Sequence, residues 1–389
     1  MTVYLDHAAT TPLDPRVRDA MRPWLDDDQA PGRWGNPSST HALGRIAREA
    51  IETARDQVAA ALGVTPLEVL FTAGGTEADN QALKGIAWAA REAGRGSHLV
   101  TTAIEHHAVL DSIDWLVAHQ GFSATVVAVG TDGVVDPERL LAAVQADTVV
   151  VSVMAANNEI GTVQPLDVIG PALRERHVAL HTDAVQAFGR APLEVDAWGI
   201  RALALSAHKF NGPKGVGVLM LRRDLAVQPL LHGGGQERGV RSGTLNAPGI
   251  VGCGIAAELA VADMATEVPR LAALRGRLLS GLQAVGDVTL NGSAAARLPH
   301  NANVSVGGCD GEALLAALDR SGIAVSTGSA CQSGAVGFSH VLEAIGASED
   351  RAHVRFTCGR TTTEADIDKA IASFTDCVTA LRASGGGYL

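Results

Sequence analysis

The chain has 389 residues, and 31 basic against 42 acidic side chains give a formal net charge of −11, which argues against direct binding of nucleic acid. The longest apolar stretch, around Val149 to Ala156, is far too short to cross a membrane. A chain of this length is expected to form a large and a smaller domain. Its five cysteines have no framework spacing and fit a reducing compartment, so we expect a cytoplasmic protein.

Short apolar runs alternate with helical patterns along the chain, which predicts an α/β fold with a mostly parallel sheet covered on both faces. In its first part, the run Val69–Thr72 leads through Gly74-Gly75-Thr76 into a helix that Gly94 closes. The backbone amides at the start of such a helix bind anions, so we predict a phosphate site there. An ordinary helix capped by Thr76 would have the same pattern.

Two adjacent histidines, His106 and His107, follow farther along the chain. Neighbouring residues point to different faces, and the chain has no CxxC or HExxH spacing. We therefore predict no metal site.

An aspartate and a lysine each end an apolar strand pattern. Asp183 ends the pattern that begins near His177, and Lys209 ends Ser206-Ala207-His208-Lys209 after the run Ala202–Leu205. Enzymes that use pyridoxal phosphate need such a pair, because the carboxylate keeps the pyridine nitrogen protonated and the lysine carries the aldehyde carbon. Each residue alone would be an ordinary turn or strand end.

Further motifs complete a resemblance to a known family. Together with these residues, the chain is similar to the cysteine desulfurases of the NifS/IscS group, in the class-V aminotransferase family, from Tyr4 to about Ile367. The sequence after Cys331 resembles the long-loop members of this group. The motifs are Tyr4–Pro12, Asn157–Gly161, His232–Arg238, Arg241–Thr244 and Ser326–Cys331.

The resemblance implies a fold-type I pyridoxal phosphate transferase. Its large domain would hold a mostly parallel seven-stranded sheet and span residues 15–261. Residues 1–14 and 262–389 would form a smaller α+β domain that carries the catalytic cysteine loop, residues 326–338.

The resemblance also implies the cofactor contacts. Lys209 would bind pyridoxal phosphate and move the substrate's α proton, Asp183 would pair with the pyridine nitrogen, and His106 would stack on the ring. Gln186 would contact the phenolic oxygen. The phosphate would be bound by Gly75, Thr76, Ser206, His208 and, from the second subunit of a homodimer, Thr244.

For the substrate, the resemblance implies that Arg355 binds the carboxylate, with Asn158 and Asn36 as further contacts. Cys331 would accept the sulfur as a persulfide, since its small, glycine-rich surroundings are typical of a mobile loop. Cys253 lies in an apolar helical pattern and is predicted to be a core residue.

The implied reaction converts L-cysteine to L-alanine. The sulfur would pass to an iron–sulfur scaffold, a tRNA thiolation enzyme or a DNA phosphorothioation protein. A selenocysteine lyase would share every cofactor contact, and a catalytically silent scaffold for sulfur-transfer partners would share the fold. An aminotransferase would share Lys209 and Asp183 but needs no thiol.

Overall fold

The computed structural model describes residues 2–26, 32–327 and 338–385. Within them lie twelve strands, eleven α-helices and four short 3₁₀ turns. The strands are β1 Val3–Tyr4, β2 Val69–Thr72, β3 His98–Thr102, β4 Ser123–Val127, β5 Thr148–Ser152, β6 Ala179–Asp183, β7 Ile200–Ser206, β8 Gly217–Leu221, β9 Val288–Leu290, β10 Asn301–Val306, β11 Ile323–Ala324 and β12 Ala352–Thr357. The helices are α1 Pro15–Met21, α2 Ala42–Leu62, α3 Gly75–Glu92, α4 His107–Gln120, α5 Pro137–Ala142, α6 Leu166–Glu175, α7 Ala247–Ala262, α8 Met264–Gln283, α9 Gly311–Arg320, α10 His340–Ala344 and α11 Glu364–Ala383.

The largest sheet of the described residues has seven strands in the order β2-β8-β7-β6-β5-β3-β4. Strand β8 runs antiparallel to both of its neighbours, and the other strand pairs are parallel. Residues of β8 are buried along its whole length, as expected for a strand covered by helices on both faces. The predicted α/β fold with a mostly parallel seven-stranded sheet is confirmed.

Helices α2 and α7 pack closely over one face of this sheet because small residues line their contact. A Cβ atom built on Gly254 of α7 would lie 2.7 Å from the Cα of Ala54 on α2. Glycine at this position therefore lets the two backbones approach, and their alanines fill the contact.

A second, smaller unit is built on the antiparallel sheet β12-β10-β9. Its own hydrophobic core includes Leu278, Val304, Phe356 and Phe374. Strand β1 joins this part of the chain by pairing in parallel with β11. The predicted domain boundary falls where α7 gives way to α8, at a bend of 72°, and the boundary itself stays a prediction.

Membrane-spanning potential was considered for the described helices. None of them is by itself long and apolar enough to cross a bilayer, and only the bent pair α7 and α8 meets the length and composition criteria jointly.

Candidate active site

A cavity of about 260 Å³ opens at the carboxyl ends of β5, β6 and β7, beside the N-terminus of α3. The carboxyl edge of parallel strands is where α/β proteins bind ligands, since chain segments diverge there. Ten of the predicted site residues line this cavity: Gly75, Thr76, His106, Asn158, Asp183, Gln186, Ser206, His208, Lys209 and Arg355.

Lys209 follows β7 in a short 3₁₀ turn and reaches the N-terminal strip of the chain. Its Nζ donates hydrogen bonds to the carbonyl oxygens of Ala8 and Ala9, at 2.6 and 2.8 Å. Both alanines also line the cavity. The strip Tyr4–Pro12, noted in the sequence as a motif, is therefore part of the cavity wall.

Asp183, the last residue of β6, is buried, and this burial raises the pKa of its carboxyl group. One carboxylate oxygen, Oδ1, accepts a hydrogen bond from the backbone N–H of Val185 at 2.9 Å. Nearby His106 and Lys209 lower this pKa, but the increase caused by burial is larger. A protonated pyridine nitrogen is the kind of cation that would restore the ionised form of such a buried carboxyl.

The phosphate end of the predicted site also has suitable geometry. Gly75 opens α3, and a Cβ atom built on it would lie 2.8 Å from a methyl group of Val185, so the helix start approaches β6 closely. Thr76 and Ser206 line the same cavity. The start of an 18-residue helix with hydroxyl groups beside it suits a phosphate dianion.

Two histidines of the cavity are held in defined states. The Nδ1 atom of His106 accepts a hydrogen bond from the backbone N–H of Ala108 at 3.1 Å, which leaves the proton of the neutral ring on Nε2. Burial, and next the charges of Lys209 and Lys214, lower the pKa of His208 to about 4. His208 is therefore neutral at neutral pH.

Arg355 on β12 is almost fully buried, with 2% of its surface exposed. Its Nη1 donates to the backbone oxygen of Asn158 at 2.9 Å, and its Nη2 donates to Oδ1 of Asp6 at 2.8 Å. The resemblance to a family had predicted Arg355 and Asn158 as substrate contacts, but Asp6 as a partner of the arginine was not foreseen.

Two predicted residues lie away from the cavity of their own chain. Thr244 is exposed, and so is Asn36, whose Oδ1 accepts a hydrogen bond from the backbone N–H of Ser38 at 2.9 Å. Neither is among the described residues that line the cavity. Their predicted contacts stay predictions.

Cys331 lies outside the described residues. The described residues on either side of it contact the cavity segments: Ser326 and Arg355 form backbone hydrogen bonds to each other, and the Ser339 hydroxyl donates to Glu159 at 2.6 Å. The other four cysteines are buried, and the core position predicted for Cys253 is confirmed. Burial raises the pKa of the Cys253 and Cys358 thiols to about 12, which makes both poor nucleophiles.

The sequence analysis missed one carboxyl group in the cavity wall. Asp79 lies one helical turn after Gly75 on α3 and lines the cavity together with it. Its position four residues after a predicted phosphate contact was the available signal, because residues at this spacing share a helix face.

Comparisons with known proteins show the family of the chain. Residues 3–370 match the family model described as aminotransferase class-V. The chain is 46% identical over 369 residues to the cysteine desulfurase IscS of Dictyoglomus turgidum, covering 94% of this chain and 92% of the relative. It is 48% identical over 375 residues to the IscS-like cysteine desulfurase of Mycobacterium tuberculosis, covering 95% and 94%.

Solved structures give the same result. A NifS-like protein superposes with a TM-score of 0.90 at 37% identity, covering 98% of this chain and all of that one. A structure described as SspA in complex with cysteine has a TM-score of 0.80 at 33% identity, covering 92% and 98%.

Proposed function

The chain belongs to the aminotransferase class-V family and is a cysteine desulfurase that uses pyridoxal phosphate, and from this premise we propose which of its residues carry the reaction. The observation that supports the assignment is the single cavity that brings together Lys209, Asp183, His106 and Arg355. These residues come from distant parts of the chain, and an accidental grouping would not match the chemistry of one cofactor and one amino acid.

The cofactor would be held at its two ends. The amides at the start of α3, with Thr76, Ser206 and His208, would bind the phosphate, and Asp183 would pair with the pyridine nitrogen. When bound, pyridoxal phosphate supplies an electron sink for negative charge that develops at the substrate's α carbon.

The protein's own side chains would then orient the substrate and move its protons. Arg355, held by Asp6 and by the backbone of Asn158, would bind the carboxylate of L-cysteine through its planar guanidinium group. Lys209 would take the α proton, and Nε2 of His106 would hold or deliver a proton beside the reacting atoms.

Sulfur transfer would use the thiolate of Cys331. A bond forms between its Sγ and the sulfur of L-cysteine, the carbon–sulfur bond of the substrate breaks, and its electron pair stays with the carbon, which is protonated. L-cysteine and the enzyme thiol thus become L-alanine and an enzyme persulfide, with no other oxidant or reductant. The contacts of Ser326 with Arg355 and of Ser339 with Glu159 support this role, because they link described residues before and after Cys331 to Arg355 in the cavity wall and to the neighbour of Asn158.

The active enzyme would be a cytoplasmic homodimer that passes its sulfur to an acceptor protein. The exposure of Thr244, away from the cavity of its own chain, supports a phosphate contact across the dimer. The acceptor classes are iron–sulfur scaffolds, tRNA thiolation enzymes and DNA phosphorothioation proteins.

The test is release of L-alanine from L-cysteine by the purified protein loaded with pyridoxal phosphate. Wild type and Cys309→Ser should both release alanine and form persulfide, whereas Cys331→Ser should bind the cofactor but form no persulfide. Cys309→Ser is the matched control, because it makes the same change at a buried cysteine without an assigned role. Equal persulfide formation by Cys331→Ser would show that the acceptor is assigned wrongly. Alanine from selenocysteine but not from cysteine would favour a selenocysteine lyase.

A further inference from the structure

A chain of buried polar side chains lies beneath the cavity and has no part in the reaction described above. It consists of Asp79 on α3, His181 on β6 and Ser152 on β5, each at most 1% exposed. Nδ1 of His181 lies 2.8 Å from the hydroxyl of Ser152, and its Nε2 lies 3.4 Å from Oδ1 of Asp79. The three side chains therefore connect the middle of the sheet with the cavity wall.

This chain of three buried side chains reaches the cavity next to Asp183. His181 and Asp183 are two residues apart on β6 and so project from the same face of the sheet. Asp79 lines the cavity with Asp183, and the two carboxyl groups interact electrostatically.

Burial and neighbouring carboxyl groups decide the protonation state of Asp79. Burial first, and then the neighbouring Asp183 and Glu105, raise the pKa of its carboxyl group well above the ordinary value. Burial also lowers the pKa of His181 to about 3, so this imidazole is neutral and cannot balance a carboxylate. Oδ1 of Asp79 and Nε2 of His181 lie 3.4 Å apart, and neither atom has a hydrogen-bonding partner among the described residues.

Four other titratable groups lie near Asp79: the carboxyl groups of Glu105 and Asp183 and the basic groups of His106 and Lys209. Glu105 has its own donors, the hydroxyl of Thr102 at 2.7 Å and the backbone N–H of Met154 at 2.9 Å. The remaining groups, Asp183, His106 and Lys209, belong to the proposed cofactor site. A second ionised carboxylate beside Asp183 would therefore lie in a low-dielectric site without a cation of its own.

We propose that Asp79 is a positioning residue for Asp183, held as a neutral carboxyl group by a hydrogen-bonded chain that starts at Ser152. The Ser152 hydroxyl donates to Nδ1 of His181, which leaves the imidazole proton on Nε2, 3.4 Å from Oδ1 of Asp79. In the proposed chain this N–H would donate to Oδ1 once the two atoms approach, and the carboxyl proton of Asp79 would be donated towards Asp183. This arrangement keeps Asp183 ionised and oriented towards the pyridine nitrogen. The inference rests on the proposed role of Asp183.

The test measures the rate at which the holoenzyme releases pyridoxal phosphate, followed by the absorbance of the bound cofactor. Asp79→Ala should release the cofactor about tenfold faster, because one hydrogen bond to a charged group is lost. Asp79→Asn should stay within about twofold of wild type, since its amide can accept from His181 and donate towards Asp183. An anionic Asp79 would not be rescued by asparagine, so an Asp79→Asn rate equal to that of Asp79→Ala would overturn the proposal.

Two smaller substitutions cover the case in which Asp79→Ala does not fold. Ser152→Ala removes only the first hydroxyl of the chain and should speed release about threefold. Thr182→Val is its matched control, because Thr182 is equally buried but lies on the opposite face of β6. No difference between these two variants would contradict the proposed chain.

Infrared difference spectra give a readout that does not depend on activity. The wild-type holoenzyme should show a stretching band of a protonated carboxyl group that Asp79→Asn lacks, beside the band of the buried Glu105, which both proteins keep. Absence of this difference would overturn the proposal. Asp183→Asn separates the two hypotheses: fast release by this variant with an unchanged Asp79→Ala would refute only the inference, whereas unchanged release by Asp183→Asn would refute the cofactor contact and the inference with it.

Discussion

Replacing Glu105 by glutamine should make the stability of the protein less dependent on pH. Glu105 is completely buried, and this burial raises the pKa of its carboxyl group to about 8, from an ordinary value of 4.5. The hydrogen bonds from Thr102 and Met154 act in the opposite direction but do not overcome burial. At neutral pH the folded protein therefore keeps a proton on Glu105 that the unfolded chain releases.

The sign and size of the effect follow from this difference. Because the folded pKa is raised, the stabilising contribution is fully present below pH 4.5 and is lost as the pH rises towards 8. Each pH unit in this window costs about 1.4 kcal/mol, so the free energy of unfolding should fall by about 3 kcal/mol between pH 5 and pH 7 on account of Glu105 alone.

Glutamine does not titrate, and its Oε1 can accept the same two hydrogen bonds. The difference in unfolding free energy between Glu105→Gln and wild type should therefore grow by about 3 kcal/mol in favour of the variant from pH 5 to pH 7. Urea unfolding of both cofactor-free proteins at several pH values measures it. A difference that stays constant with pH, or that favours wild type increasingly at higher pH, would refute the reasoning.

Three further substitutions have defined expectations. Arg355→Lys should lower kcat/KM for L-cysteine by about 100-fold in the alanine-release assay, because an ammonium group cannot form two parallel hydrogen bonds to a carboxylate. Gly75→Ala should weaken cofactor binding about tenfold in an absorbance titration, because the new Cβ would lie 2.8 Å from a valine methyl group. Gly74→Ala is the control, because its Cβ would meet nothing within 4 Å. Glu237→Gln should lower the free energy of unfolding by about 2 kcal/mol, measured by urea denaturation, because it removes the buried one of the two carboxylates that pair with the buried guanidinium of Arg55, and the remaining partner, Glu52, is half exposed.

Much of the fold and of the candidate site could be predicted from local patterns. The glycine turn before α3 and the polar residues that end β6 and β7 marked the cavity, because turns, helix starts and strand ends depend on short-range backbone preferences. The alternation of strands and helices likewise predicted the covered parallel sheet. The resemblance to a family then supplied roles for residues such as Arg355 that no local pattern distinguishes from a surface arginine.

Other features depend on contacts between distant parts of the chain. The ion pair of Asp6 with Arg355 joins the N-terminal strip to β12, and no spacing in the sequence indicates it. The exposed positions of Thr244 and Asn36 in the single chain were likewise not evident from their motifs.

The sequence by itself determined the class of fold, the pair Lys209 and Asp183 and the phosphate-binding helix start, because each is encoded within a few neighbouring residues. Only the tertiary structure decided that Glu105 and Asp79 are buried carboxyl groups and that Asp6 faces Arg355. Protonation and ion pairing depend on the distance to every charge and on exclusion from water. Both quantities arise only when the strands assemble in their nonsequential order and the helices close over them.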